Sequence, residues 1–171
     1  MSVVADPRFR LAALVALGVV VVDQITKAIV ERSMALHESI PLLPVFSLTY
    51  VRNSGAAFGI FGAAPAGVRL PLFLLVTVAA AWALLSMLRH ARSDQRILVS
   101  ALGGILGGAA GNAICRVRYG EVIDFLDAHW GDAHWPAFNI ADSAITVGVA
   151  IVLLQGLLEP SRTPAQDAAT R

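Results

Sequence analysis

Two aspartates, Asp124 and Asp142, are the residues of this chain best suited to chemistry. Each lies among apolar neighbours, in the stretches EVIDF and FNIAD. An ionisable side chain beside a membrane span is costly to keep, so it is a functional hypothesis by default. Two carboxyl groups are the minimum for general acid–base hydrolysis without a metal, because one takes a proton from water while the other, protonated, polarises the carbonyl under attack.

Such a pair works only if the two acids share a proton. Two carboxylates a few ångströms apart do not easily both ionise, so the pKa of one of them rises. The gap of 18 residues between Asp124 and Asp142 is too long for one helix face. A loop containing Gly131 and Pro136 must therefore fold back to bring the two acids together.

A purely structural role for Asp142 is also open. The pattern N-x-x-D from Asn139 resembles a capping box, with Asn139 as the N-cap and Asp142 reaching back to it. The helix dipole also favours a carboxylate in the first turn. Capping and catalysis are compatible, because a dipole that keeps Asp142 ionised leaves Asp124 as the acid that holds the proton.

The composition indicates an integral membrane protein. Of 171 residues, 57% are hydrophobic and only 15% are charged, and the mean hydropathy is +0.70; soluble domains carry about 25% charged residues. The net charge of +1 does not suggest nucleic-acid binding. A single cysteine, Cys115, excludes an internal disulfide and a cysteine-rich zinc site. We expect one membrane domain over residues 1–160 and a disordered cytoplasmic tail over residues 161–171.

Four apolar segments approach the roughly 20 residues that cross a bilayer. They run from about Leu11 to Val30, Leu70 to Leu88, Ile97 to Ile114 and Ile140 to Leu158. An even number of spans puts both termini on one side, where we count seven arginines against five on the other. The positive-inside rule then places the termini in the cytoplasm and both aspartates at the outer, periplasmic face. We expect the first span to remain uncleaved.

The segment FSLTYV at residues 46–51 alternates apolar and polar residues, as a half-buried strand does. Trp130 and Trp135, in the second outer segment, are suited to the membrane interface. The predicted fold class is therefore mainly α: four transmembrane helices with a small extracytoplasmic β-sheet on the outer membrane face.

Asp23 and Lys27 are four residues apart near the end of the first span, so they share a helix face and can pair. Two interpretations are open: an interfacial ion pair that marks the end of the span, or a buried anchor near a site.

The third span carries glycines four residues apart, a pattern that lets another helix approach closely in a bilayer. These glycines are Gly103, Gly107 and Gly111, together with Gly104 and Gly108. Asn112 and Arg116 continue the same helix toward its outer end. They could bind peptide carbonyls or orient a carboxylate, or they could cap the helix and extend to the lipid headgroups.

Other chemistries are less well supported. His129 and His134 lack the His-Glu-x-x-His pattern of a zinc protease. A small transporter or proton-relay protein is the main alternative, because polar residues within spans often mark ion pathways. In this chain the acids cluster toward the predicted outer ends, whereas transporters place polar groups near the middle of the membrane.

The motifs together resemble the lipoprotein signal peptidases, also called signal peptidase II. The blocks that carry the resemblance are VDQITK, RNSGAAFG, GGAAGNAICR, VIDF and FNIADS, in the order of that family and spanning residues 22–147. The resemblance implies that Asp124 and Asp142 are the catalytic pair. The residues expected to support the site or bind substrate are Asp23, Lys27, Asn53, Gly55, Asn112, Arg116 and Asn139.

The resemblance also implies the reaction. The family removes signal peptides from diacylglyceryl-modified prolipoproteins by cutting just before the lipidated cysteine, at the bacterial inner membrane. It uses no metal or organic cofactor, and its members are inhibited by the cyclic peptide globomycin. We expect contact with membrane lipids and a monomer.

The chain departs from the family pattern at Cys115, where Gly-Asn-x-x-Asp-Arg has an aspartate. A thiol of ordinary pKa is mostly uncharged near neutrality and does not replace a carboxylate beside Arg116. A non-catalytic, lipoprotein-binding relative is therefore a third hypothesis, although both aspartates assigned to chemistry are present.

Overall fold

Four helices and four strands make up the described part of the chain. The computed structural model describes residues 6–55, 60–62 and 64–158, so the predicted tail lies outside it. The helices are α1 (Pro7–Ser33), α2 (Ala66–His90), α3 (Arg96–Tyr119) and α4 (Ile140–Leu158). Strands β1 (Ser39–Leu43) and β2 (Phe46–Asn53) lie between α1 and α2, and β3 (Val122–Trp130) and β4 (Ala133–His134) lie between α3 and α4.

All four helices are long and apolar enough to cross a membrane, as the composition predicts. The bounds of α4 match the prediction, whereas the other three helices are longer than their apolar runs. Pro7 and the Asp6 carboxylate, which accepts the Arg8 N–H at 2.9 Å, begin α1 ahead of its apolar run. Asn112 and Arg116 continue the third helix toward its outer end, as predicted: α3 extends beyond its apolar run to Tyr119 and ends at Gly120, whose φ of 74° suits glycine.

Helix α3 is the centre of the bundle, and four of its five glycines, all except Gly104, make the close contacts that their spacing predicts. A Cβ atom on Gly103 would lie 2.6 Å from the Ala12 carbonyl oxygen of α1. On another face of α3, a Cβ on Gly108 would collide with the Ala141 carbonyl oxygen of α4. Two helix backbones therefore press on α3 at different faces, and each contact requires the absence of a side chain.

The strands form one antiparallel sheet in the order β1-β2-β3-β4, so the predicted strand exists and is part of β2. The sheet packs against the end of α1 through a cluster of buried apolar side chains. Its members are Val30, Met34, Tyr50, Ile123 and Phe125. This contact places the beginning of β3 beside the ends of α1 and α3.

Candidate active site

Asp124 and Asp142 line one cavity, although they come from different elements. Asp124 lies on β3 and Asp142 in the first turn of α4. The chain turns back at Gly131, where φ is 58°, and Phe138 then pairs with Leu126 of β3. This pairing returns the chain to β3 just before α4 begins. The cavity has a volume of about 600 Å³, and its polar lining also includes Asn53, Asn112 and Arg116.

The start of α4 holds the Asp142 carboxylate in place. The Asp142 N–H donates to Asn139 Oδ1 at 3.0 Å, and the Asn139 N–H donates to Asp142 Oδ2 at 3.2 Å. These reciprocal bonds are those of the capping box that the N-x-x-D pattern suggests. The other oxygen, Oδ1, accepts the Asn112 amide at 2.8 Å. Capping therefore fixes one carboxylate oxygen, while a neighbouring helix holds the other.

Two asparagine amides hold Asp124. Asn139 Nδ2 donates to Oδ1 at 2.6 Å, and Asn53 Nδ2 donates to Oδ2 at 3.1 Å. Burial is the largest influence on this group and disfavours its charged form; the neighbouring Asp142 carboxylate adds to the effect. Together they raise the pKa of Asp124 to about 6, against the opposing effect of the two amides. A substantial protonated fraction therefore persists in mildly acidic conditions.

Behind the acids lies a buried ion pair. The side chains of Asp23 and Lys27 are 0% and 2% exposed, and Lys27 Nζ lies 2.9 Å from Asp23 Oδ2. The same ammonium donates to Asn112 Oδ1 at 2.8 Å, while Asp23 Oδ1 accepts the Ala141 N–H of α4 at 3.0 Å. Of the two interpretations of this pair, the structure supports the buried anchor. It joins α1, α3 and α4 directly behind Asp142.

Asn53 and Arg116 both contact the backbone of Gly55 at the edge of the cavity. Asn53 Oδ1 accepts the Gly55 N–H at 2.9 Å, and Arg116 Nη2 donates to the Gly55 carbonyl at 3.1 Å. The guanidinium carbon of Arg116 lies 4.4 Å from the ring centroid of Phe73 on α2. Arg116 thus ties α2 and the segment after β2 to α3, rather than extending to lipid headgroups.

Cys115 is buried and lies beside α1, where Gln24 Nε2 is 3.9 Å from its sulfur. The same amide donates to Asp23 Oδ2 at 3.0 Å and to the Gly111 carbonyl at 3.1 Å. Cys115 and Arg116 therefore contact different neighbours. Sequence reasoning missed Gln24, although it stands inside the VDQITK block between a polar residue and an apolar one.

Comparison with known proteins gives concordant matches. The family model described as signal peptidase (SPase) II matches residues 15–158. The lipoprotein signal peptidase of Geobacter sulfurreducens is 48% identical over 91% of this chain and 97% of its own length. That of Syntrophotalea carbinolica is 51% identical over 86% of this chain and 91% of its own. A bacterial membrane enzyme solved by the in meso method at 2.3 Å resolution superposes with a TM-score of 0.77 at 31% identity, covering 89% of this chain and 93% of that one.

Proposed function

Because the chain belongs to the signal peptidase II family, we propose that it is an aspartyl endopeptidase in which Asp124 and Asp142 carry the reaction. The observation that supports this most is the shared cavity. Two carboxyl groups from separate elements open into it, and amide donors that differ for the two acids orient each of them.

In the proposed reaction Asp142 is the base and Asp124 the acid. The Asp142 carboxylate accepts the Asn112 amide and the Asn139 N–H at the positive end of α4, and these bonds favour its ionised form. It takes a proton from water as the water oxygen attacks the peptide carbonyl carbon. Protonated Asp124 donates a hydrogen bond to the carbonyl oxygen. The C–N bond then breaks, and a proton passes to the leaving amine.

The substrate of this reaction is a prolipoprotein whose cysteine carries diacylglycerol, and the bond cut is the one just before that cysteine. A lipidated substrate reaches the cavity by lateral diffusion, because the spans keep its acyl chains and the helices in the same bilayer. The first half of α4, with Ile145 and Val147 on the cavity wall, offers an apolar surface at the depth of those chains. We place the protein in the bacterial inner membrane, with the acids at the periplasmic face.

A transporter receives less support from the same geometry. The buried polar side chains described within the helices are Asp23, Lys27 and Asn112, and they gather with Asn139 at one end of the bundle. A relay across a membrane needs polar groups along the whole path. A non-catalytic relative is also less supported, because Cys115 lies on the α1 side of α3 and leaves the contacts of both acids intact.

The test is signal-peptide release from a diacylglyceryl-modified prolipoprotein by the purified protein, followed by mass spectrometry that identifies the cut bond. We expect D124N and D142N each to lower the rate by about 10²–10⁴-fold. Asp127→Asn is the matched control, since Asp127 is also a buried acid on β3 but binds His134, outside the cavity. Near-parental release by D124N or D142N, or an equal loss in the folded D127N variant, would disprove the assignment.

A further inference from the structure

A second cavity lies between α3 and α4, toward the end of the bundle that is far from the acids. We call it the α3/α4 groove. Small residues create it: Ser100 and Gly104 on α3, and Ala144 and Gly148 on α4. Its volume is about 390 Å³ and its lining is almost wholly apolar. Ile97 and Val147 lie along it and are largely exposed, so the groove opens on the outer surface of the bundle, where lipid is the solvent.

The groove and the cavity of the two acids lie on different faces of α4. The acid cavity uses Asp142, Ser143 and Thr146, whereas the groove uses Ala144, Gly148 and Ile151. Val147 is common to both. At 3.6 residues per turn these sets point in largely opposite directions. The groove is therefore a surface separate from the acid cavity.

One end of the groove carries a positive charge. Arg96, the first residue of α3, lines it at the level where a span leaves the membrane. Two other arginines at this end of the bundle are neutralised, since Arg8 pairs with Asp6 and Arg92 with Asp94. Within residues 6–55, 60–62 and 64–158, the Arg96 guanidinium has no acidic partner. An apolar groove that ends at such a guanidinium is complementary to an anion with a hydrocarbon tail.

We propose that the α3/α4 groove binds one anionic phospholipid, with its phosphate on Arg96 and one acyl chain along Gly104 and Gly148. A guanidinium matches a phosphate in charge and in geometry, and basic pockets between transmembrane helices suit anionic headgroups. A signal peptide fits this groove poorly, because its basic N-terminal flank would meet Arg96. The site does not depend on the proposed hydrolysis.

The test uses the full chain in a mild detergent, titrated with phosphatidylglycerol or phosphatidylcholine and observed by native mass spectrometry. We expect one phosphatidylglycerol molecule to bind in preference to phosphatidylcholine. Arg96→Gln should weaken this binding about tenfold, the effect of losing a charged hydrogen bond. Gly104→Leu should weaken it by filling the groove without a change of charge. Arg92→Gln, which removes the same charge outside the groove, should change it less than twofold.

Four outcomes would overturn the proposal. Equal losses in R92Q and R96Q would mean diffuse attraction, and unchanged binding in both R96Q and G104L would remove the site. Glycerol phosphate that competes as well as the lipid would mean that the groove takes no acyl chain. If the full chain bound no phosphatidylglycerol but Glu159→Gln did, the chain beyond α4 would be the partner of Arg96. Thermal unfolding of each variant checks that it is folded.

Discussion

The two ends of the helix bundle are held together by different physical means. At the end near the acids, hydrogen bonds between buried polar groups join the helices, from Lys27 to Asn112 and from Ala141 to Asp23. At the other end most of the contacts are apolar, and small or branched side chains fill the space between α1, α2 and α3, while the Arg8 guanidinium donates to the Arg89 and Ala91 carbonyls at the end of α2. The residues of that apolar cluster are Ala12, Leu88, Ala91, Val99 and Leu102.

This difference shows that helix packing and the orientation of the site residues can depend on different interactions in one membrane protein. In lipid, apolar side chains gain little by leaving their surroundings, so small residues and close backbone contact must supply the attraction. Such contact sets the distance between two helices, but it only weakly fixes the rotation of each helix about its own axis. Hydrogen bonds are directional, and a misplaced buried charge is costly. The directional hydrogen bonds at the polar end therefore specify the position of the Asp142 carboxylate.

The largest effect is expected from Lys27→Met. The substitution leaves Asp23 charged and buried without its partner, so we expect a loss of about 3–5 kcal/mol in unfolding free energy. Release of signal peptide should fall as well, since Asn112 loses the donor that fixes it behind Asp142. Denaturation in mixed micelles measures the stability.

The control for this prediction is the double variant Asp23→Asn/Lys27→Met. It removes both charges and keeps an oxygen that can accept the Ala141 N–H, so most of the stability should return. If K27M alone is as stable as the parent, the polar end is not held by the ion pair.

Gly108→Ala tests the close packing between α3 and α4. The added methyl would collide with the Ala141 carbonyl, and we expect a cost of about 1–3 kcal/mol, together with reduced release because the start of α4 must move. Gly104→Ala is matched to it one turn away, where the nearest atom to a Cβ would be 3.8 Å distant. That variant should be neutral or slightly stabilised. Equal effects of G104A and G108A on stability and release would contradict close contact at Gly108.

Asp124 makes the polar end sensitive to pH. Its pKa is about 6 in the fold against an ordinary value of 3.8, so the folded state binds this proton more tightly than the unfolded chain does. The resulting stabilisation is full below the ordinary value and is lost as pH rises through 6. Between pH 4.5 and 8 the parent should lose roughly 2 kcal/mol more than D124N. Equal pH slopes for the two proteins would refute the shift.

The smallest effect concerns Cys115→Asp. We expect improved release or thermal stability, because the Gln24 amide gains a charged acceptor in place of a sulfur at 3.9 Å. Desolvation and the nearby Asp23 oppose this gain, so the net change should be about 1 kcal/mol or less. Cys115→Asn supplies the acceptor without the charge, and the difference between the two variants isolates the carboxylate. No change in either would mean that the position is tolerant.

The helices could be predicted because apolar runs of the length of a membrane span mark their positions and capping residues mark some of their ends. Ile140–Leu158 lies between a capping box and Glu159-Pro160, so its bounds matched, whereas α3 is longer than its apolar run because its last turns carry the polar residues Arg116 and Arg118. Strand β3 was not predicted, and the reason is its burial. Val122 to Phe125 are buried on both faces, so the alternation that identifies a half-buried strand is missing.

Only part of the candidate site could be predicted from the sequence. The reciprocal bonds of Asn139 and Asp142 follow from local spacing. Asp124 and Asp142 come to the same cavity because Phe138 pairs with Leu126. No local sequence pattern predicts that pairing. The assignment of both acids to catalysis came from family resemblance and remains a prediction. The role of Gln24 was not predicted, because its amide bridges Asp23 and Gly111, which come together only in the folded chain.

The bond between Asp23 and the Ala141 N–H spans 118 residues of sequence and has a consequence for biosynthesis. Helices enter the membrane in order as the ribosome delivers them, and α4, the last described helix, arrives late. Until then Asp23 lacks the backbone group it caps, Asn112 lacks its carboxylate partner, and Asp142 has not been delivered at all. Under the proposed mechanism a nascent chain stalled after α3 is therefore inert, and proteolytic competence begins only with insertion of α4.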